Sequence, residues 1–104
     1  MKKLILLSVI LIGLSVDAYA RNVTFRSTQT VCWNNERIVL FSNATFEIWQ
    51  DGRRVHTGTY TIRNNNEIIL TVNNNGGVWR LSANIHNGVL NSAVFNGNRY
   101  NRCR

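Results

Sequence analysis

Apolar and polar residues alternate with a period of two along most of this chain. The clearest stretch is Phe46–Val72, FEIWQDGRRVHTGTYTIRNNNEIILTV. Period two is the signature of a strand with one buried face. Phe46 and Ile48 fall on one side of a strand from Thr45 to Gln50, and Glu47 and Trp49 fall on the other. Asp51-Gly52 follows, a pair suited to a type I′ hairpin turn because both positions tolerate positive φ. The return strand, Arg53 to Arg63, places Tyr60 and Ile62 on one face. Val55, Thr57, Thr59 and Thr61 share the opposite face, and Gly58 suggests a bulge or a bend. After Asn64-Asn65-Asn66, a third strand puts Ile68, Leu70 and Val72 on one side.

The same pattern extends in both directions. Before this unit, Val23–Ser27 alternates and reads as a first strand. Thr30–Trp33 continues it or forms a second. Asn34-Asn35-Glu36 is a turn, and Arg37–Phe41 is a short β-branched strand. After the unit, Asn73–Gly77 is a loop, and Val78–Ile85 carries Trp79, Leu81, Ala83 and Ile85 in phase. His86-Asn87-Gly88 turns the chain into Val89–Phe95, apolar on both faces, with Leu90 and Val94 the expected core pair. Asn96-Gly97 is a second hairpin signal, and Arg99–Cys103 ends the series. No stretch after residue 20 keeps a helical period. Seven or eight short strands at regular spacing, joined by turn residues, predict an all-β antiparallel meander.

Cysteine content selects among meanders. The only two cysteines are Cys32, near the first strands, and Cys103, in the last. A disulfide between them requires Cα atoms within about 7 Å. First and last strands must then be neighbours, which predicts a closed or nearly closed barrel. A two-sheet sandwich is the alternative. A redox-active pair would have the two cysteines close in sequence, as in C-x-x-C, and these are far apart.

The first twenty residues follow another logic. Lys2-Lys3, the apolar run Leu4–Val16 and Ala18-Tyr19-Ala20 have the order of a bacterial-type secretory signal peptide, with cleavage expected after Ala20. The apolar run is shorter than the roughly 20 residues that span a bilayer. The expectation is therefore one all-β domain over residues 21–104, periplasmic or secreted, with no transmembrane segment after cleavage. An oxidising compartment agrees with the disulfide. The remaining chain has ten arginines, no lysine and four carboxylates, a formal charge of +6. So short a chain buries a limited core and benefits from a covalent clasp.

Residues 45–102 carry TFEIWQDG, GTYTI, EIILTV and a late GNRYNR strand. In this series of hairpins the chain resembles small secreted lipocalin-like, calycin-type proteins. That resemblance implies a β-barrel and, by extension, carriage of a small apolar ligand. The chain is shorter than a full lipocalin, and Cys32-Trp33 has the tryptophan of the early G-x-W motif without its glycine. The chain is also similar to small periplasmic lysozyme inhibitors, barrels with one disulfide between early and late strands. Their Ser-Gly-x-x-Tyr loop has an echo in Thr57-Gly58-Thr59-Tyr60, although a basic protein is repelled by a basic lysozyme.

Candidate chemistry is sparse. His56 and His86 have no nearby cysteine or carboxylate cluster, whereas a metal site needs three or four converging ligands. No metal, cofactor or catalytic residue is assigned, and a binding protein is expected rather than an enzyme. Arg53-Arg54 and Arg99–Arg104 are the densest positive segments, and guanidinium groups hold phosphate, sulfate and carboxylate in bidentate fashion. Trp49 should face outward, where an indole beside arginines suits an interface. Trp33 and Trp79 are expected in the core. The expected binding residues are therefore Trp49, Arg53, Arg54, His56, Arg99 and Arg102, and the expected partner is an anionic polymer or a protein surface: an anionic glycan or an envelope component. The alternative is a small secreted nuclease or toxin-like enzyme using His56 and His86 for acid–base chemistry.

Overall fold

A computed structural model describes residues 23–104. The signal-peptide reading of residues 1–20 lies outside the described residues. Eight strands follow in chain order: β1 (Gln29–Trp33), β2 (Glu36–Leu40), β3 (Thr45–Gln50), β4 (Arg53–Arg63), β5 (Glu67–Val72), β6 (Val78–His86), β7 (Val89–Phe95) and β8 (Asn98–Arg102). Each pairs antiparallel with the next, and β1 pairs with β8 through Val31–Arg102 and Cys32–Asn101. The meander is a closed barrel, so no strand edge is left to template another chain. The disulfide Cys32–Cys103 joins the two strands that close it, with Cα atoms 5.1 Å apart. Such a bond is compatible with an extracellular location.

Hairpin chemistry sets the register. Asp51-Gly52, Asn87-Gly88 and Asn96-Gly97 all have both residues at positive φ, between 52° and 80°, as type I′ turns require. The turns divide the barrel into two rims. Residues 34–35, 51–52, 73–77 and 96–97 form the upper rim. Residues 41–44, 64–66 and 87–88 form the lower rim, where the N-terminal segment also lies.

Between the rims the axis is filled. Val31, Ile38, Leu40, Phe46, Ile48, Tyr60, Ile68, Leu70, Leu81, Leu90 and Tyr100 are each no more than 2% exposed. Six of the expected core residues, Phe46, Ile48, Tyr60, Ile62, Ile68 and Leu70, are buried together. Trp33 and Trp79 pack against this core while remaining partly exposed at its upper end.

Three expectations are corrected. Val23–Ser27 is not a strand. The barrel closes without it, so it finds no edge to join. Instead Phe25 inserts into the lower mouth, 3% exposed, with its ring 6.0 Å from that of Tyr60. The segment is tied by Ile62 N–H to Val23 O (2.9 Å), Val23 N–H to Thr61 Oγ1 (3.2 Å) and Phe25 N–H to Tyr60 Oη (3.1 Å). Second, the core pair on β7 is Leu90 and Ala93, not Leu90 and Val94. Ile85 pairs with Leu90 but Asn84 with Ser92, so Asn91 is an extra residue that reverses the alternation beyond it. Third, the bulge of β4 is at Val55, where Ile48 faces His56 and Trp49 faces Arg54. Gly58 serves a close approach: a Cβ there would lie 1.9 Å from Thr71 O and 2.8 Å from the Phe46 ring.

Candidate functional site

The closed sheet presents two regions with converging polar groups, one on the outer wall and one in the upper mouth. The outer wall is built by cross-strand pairing. Asn101, Cys32, Arg37, Trp49 and Arg54 are successive neighbours from β8 through β1, β2 and β3 to β4. Trp49 faces outward, as its phase requires, but is half-buried. The Arg37 guanidinium carbon sits 4.9 Å from the centre of its ring, a cation–π arrangement. The indole Nε1–H donates to Glu47 Oε1 (3.0 Å), and Arg54 Nη1–H donates to Glu47 Oε2 (3.2 Å). One carboxylate thus holds both Trp49 and Arg54 in place. A shallow groove of about 220 Å³ runs beside them, lined by Cys32, Asn34, Asn35, Glu36, Arg37, Trp49 and Gly52.

Charge is unevenly compensated. Nine arginines lie among the described residues. Only Arg54–Glu47 and Arg80–Glu67 come within 4.0 Å of a carboxylate, at 3.2 Å and 3.6 Å. The other seven have no such partner among the described residues. Arg37, stacked on Trp49, is one of them, and Arg53 at the adjoining hairpin is another.

The upper mouth is a second region, joined to the groove through Glu36, which lines both. Glu36, Ile48, Gln50, His56, Trp79, Phe95 and Asn96 line a cavity of about 250 Å³. Trp79 packs edge-on with His56 (4.8 Å between ring centres) and tilted with Phe95 (5.6 Å). Tyr100 lies beneath and donates its hydroxyl to Glu36 Oε1 at 2.5 Å. Burial raises the Tyr100 pKa well above the usual phenol range, and the Glu36 hydrogen bond and negative charge push in the same direction. The hydroxyl is therefore protonated and donating at neutral pH.

The lower end holds a larger cavity of about 700 Å³, bounded by Val23–Ser27, Ile62, Asn64, Asn65, Ile85 and Asn87–Val89. Phe25 separates it from the filled axis.

The residues singled out in the sequence are thus only partly brought together. Trp49 and Arg54 share the outer wall, with Arg53 on the hairpin tip above them. Arg99 is on the outer face of β8, where its Nη1–H reaches Ser92 Oγ at 3.4 Å. Arg102 is exposed at the far end of that strand. His56 is in the upper mouth, whereas exposed His86 ends β6 at the lower rim, so the two imidazoles share no site. Among the described residues no group of three or more His, Cys, Asp or Glu could hold a metal ion, and no helix is long and apolar enough to cross a membrane.

Sequence reading passed over Glu36, Arg37 and Tyr100. The signal for Glu36 was present: alternation of the Arg37–Phe41 run, extended back from Ile38, puts Glu36 on the inner face. Its place after Asn34-Asn35 concealed it as a turn residue. No protein-family model matches the chain, nor does any curated protein or solved structure.

Proposed function

We propose that this protein is an exported binding protein that recognises an anionic polymer or an acidic protein surface through the arginines of its outer wall. The observation that carries this reading is the Arg37–Trp49 stack. A guanidinium resting on an indole keeps its planar face occupied and its N–H edge directed outward, ready for a bidentate sulfate, phosphate or carboxylate. Arg54, held by Glu47, extends the positive strip, and Asn34 and Asn35 add amide donors along the groove.

Two further facts bear on the reading. Seven arginines without a carboxylate partner make the surface attractive to polyanions, whose long-range encounter such a field accelerates. An eight-stranded up-and-down barrel is the architecture of lipocalins, but the axis between the rims is filled, so any carriage of a small apolar ligand falls to the lower-end cavity.

Retention on a sulfated polysaccharide column tests the proposal. The mature protein should bind and elute with rising salt, because screening acts on exposed charges. Replacing Arg37 and Arg54 together by Gln should weaken binding about tenfold, the loss of a charge-assisted contact. Equal retention of the double variant, or none by the native protein in low salt, defeats it.

A further inference from the structure

The upper mouth has a charge character opposite to that of the wall. Three glutamates lie among the described residues, and two of them, Glu47 and Glu67, each hold an arginine. Glu36 alone has none within 4.0 Å, in a protein rich in unpaired arginines. It is also the glutamate on the inner face, in the alternation phase of buried Ile38 and Leu40. Its Oε1 is occupied by the Tyr100 hydroxyl. Trp79 and Phe95 form an aromatic wall of the same opening, and behind it the ring of Trp33 lies 5.9 Å from that of Tyr100.

A carboxylate set among aromatic faces in a cavity of about 250 Å³ has a definite complement. It suits a compact organic cation, which the carboxylate holds by charge and the rings hold by their quadrupoles. Gln50 and Asn96, also on the lining, supply carbonyl oxygens that accept N–H donors. We propose that the upper mouth is a binding site for a guanidinium or alkylammonium group, with Glu36 as its counter-charge and Trp79 and Phe95 as its walls.

Tyr100 is the positioning residue. Its buried, protonated hydroxyl fixes one carboxylate oxygen and leaves the second for the guest. Two of the protein's own groups face the same opening. His56 lines it, and Arg53 stands at its rim in the register row Glu36–Gln50–Arg53. Neither is within 4.0 Å of Glu36 in an ion pair, and the Arg53 guanidinium opposes the guest by repulsion without replacing it.

The cation can be a free small molecule or the side chain of a protein partner, and two probes separate these sources. Arginine methyl ester represents the first. An acetylated, amidated Gly-Arg-Gly peptide represents the second. Each is titrated into the mature protein at constant ionic strength, with potassium chloride as control, while the indole N–H resonances of Trp33 and Trp79 are followed by NMR. Saturable shifts of these two indoles, absent with potassium, are expected from at least one probe. Preference for the ester points to a free cation, and preference for the peptide to a side chain.

Glu36→Gln retains the acceptor for Tyr100 and should weaken the guest about tenfold to a hundredfold, the worth of a charge-assisted hydrogen bond. Arg53→Ala should tighten it. Arg37→Gln, which alters the wall but not the mouth lining, should leave the guest's affinity unchanged, which separates this site from the arginine wall. Absence of saturable indole shifts overturns the proposal. So does equal affinity in Glu36→Gln, weaker binding in Arg53→Ala, or equal response to a neutral sugar.

Discussion

At the scale of single residues, the two tyrosines of the described barrel show how burial and hydrogen bonding act together. Tyr60 Oη donates to Phe41 O at 2.7 Å and accepts from Phe25 N–H at 3.1 Å. Burial raises its pKa, and the Phe25 amide offsets part of that rise. Tyr100 is raised further, by burial and then by Glu36. Both folded pKa values therefore exceed the unfolded value of about 10. The neutral phenols contribute stability that is fully present below about pH 10 and lost as pH rises toward the folded values. Spectrophotometric titration of residues 21–104 should thus show no tyrosinate near pH 10, followed by a steep rise that coincides with loss of the barrel's circular dichroism. Two ordinary phenol titrations in folded protein would contradict this. These hydroxyls were not readable as donors from the sequence. Period two places Tyr60 and Tyr100 inward, but their acceptors, Phe41 O and Glu36, are 19 and 64 residues away.

Individual elements show where local rules suffice and where closure overrides them. The hairpins β3–β4, β6–β7 and β7–β8 follow from Asp-Gly and Asn-Gly pairs, because positive φ at two adjacent residues is a local requirement. The segment Val23–Ser27 has equally good alternation yet forms no strand, since the closing of β1 on β8 removes the edge it would need. Its Phe25 instead plugs the lower mouth. Phe25→Ala should therefore cost about 3–5 kcal/mol, the range for a buried phenylalanine, read as a lower denaturant midpoint with unchanged m-value. A cost under about 1 kcal/mol would show that the plug adds little. The bulges at Val55 and Asn91 are a similar case. Each reverses the alternation on one side of a strand, and nothing in the local residue pattern marks Asn91 as the extra position. Its effect is to exchange Val94 for Ala93 on the inner face.

For the whole molecule, the decisive contact joins the ends. Cys32 and Cys103 are 71 residues apart, so their bond closes nearly the whole described chain. Loop-closure entropy predicts a contribution of about 4 kcal/mol. Equilibrium unfolding with and without reductant should differ by about that amount, and Cys32→Ala/Cys103→Ala should match the reduced protein. An unchanged midpoint would mean that β1–β8 pairing holds the barrel closed unaided. Closure also creates the mouth site. It gathers Glu36, His56, Trp79 and Phe95 from four strands at one mouth, whereas neighbouring-strand pairing alone sets Arg37 against Trp49 and Trp49 against Arg54.

Alternation, turn residues and two cysteines, read alone, determined an antiparallel meander whose ends meet, most of the strands that compose it, and that Trp49 faces outward. They could do so because strand period, hairpin geometry and disulfide reach are local or pairwise constraints. Only the tertiary structure decided which charges meet. Glu47 holds Arg54, Glu67 holds Arg80, and Glu36 holds no cation, because pairing across strands depends on register and curvature summed around the whole barrel. It likewise placed His56 and His86 at opposite ends and turned the first alternating segment into a plug, since both outcomes depend on where the sheet closes.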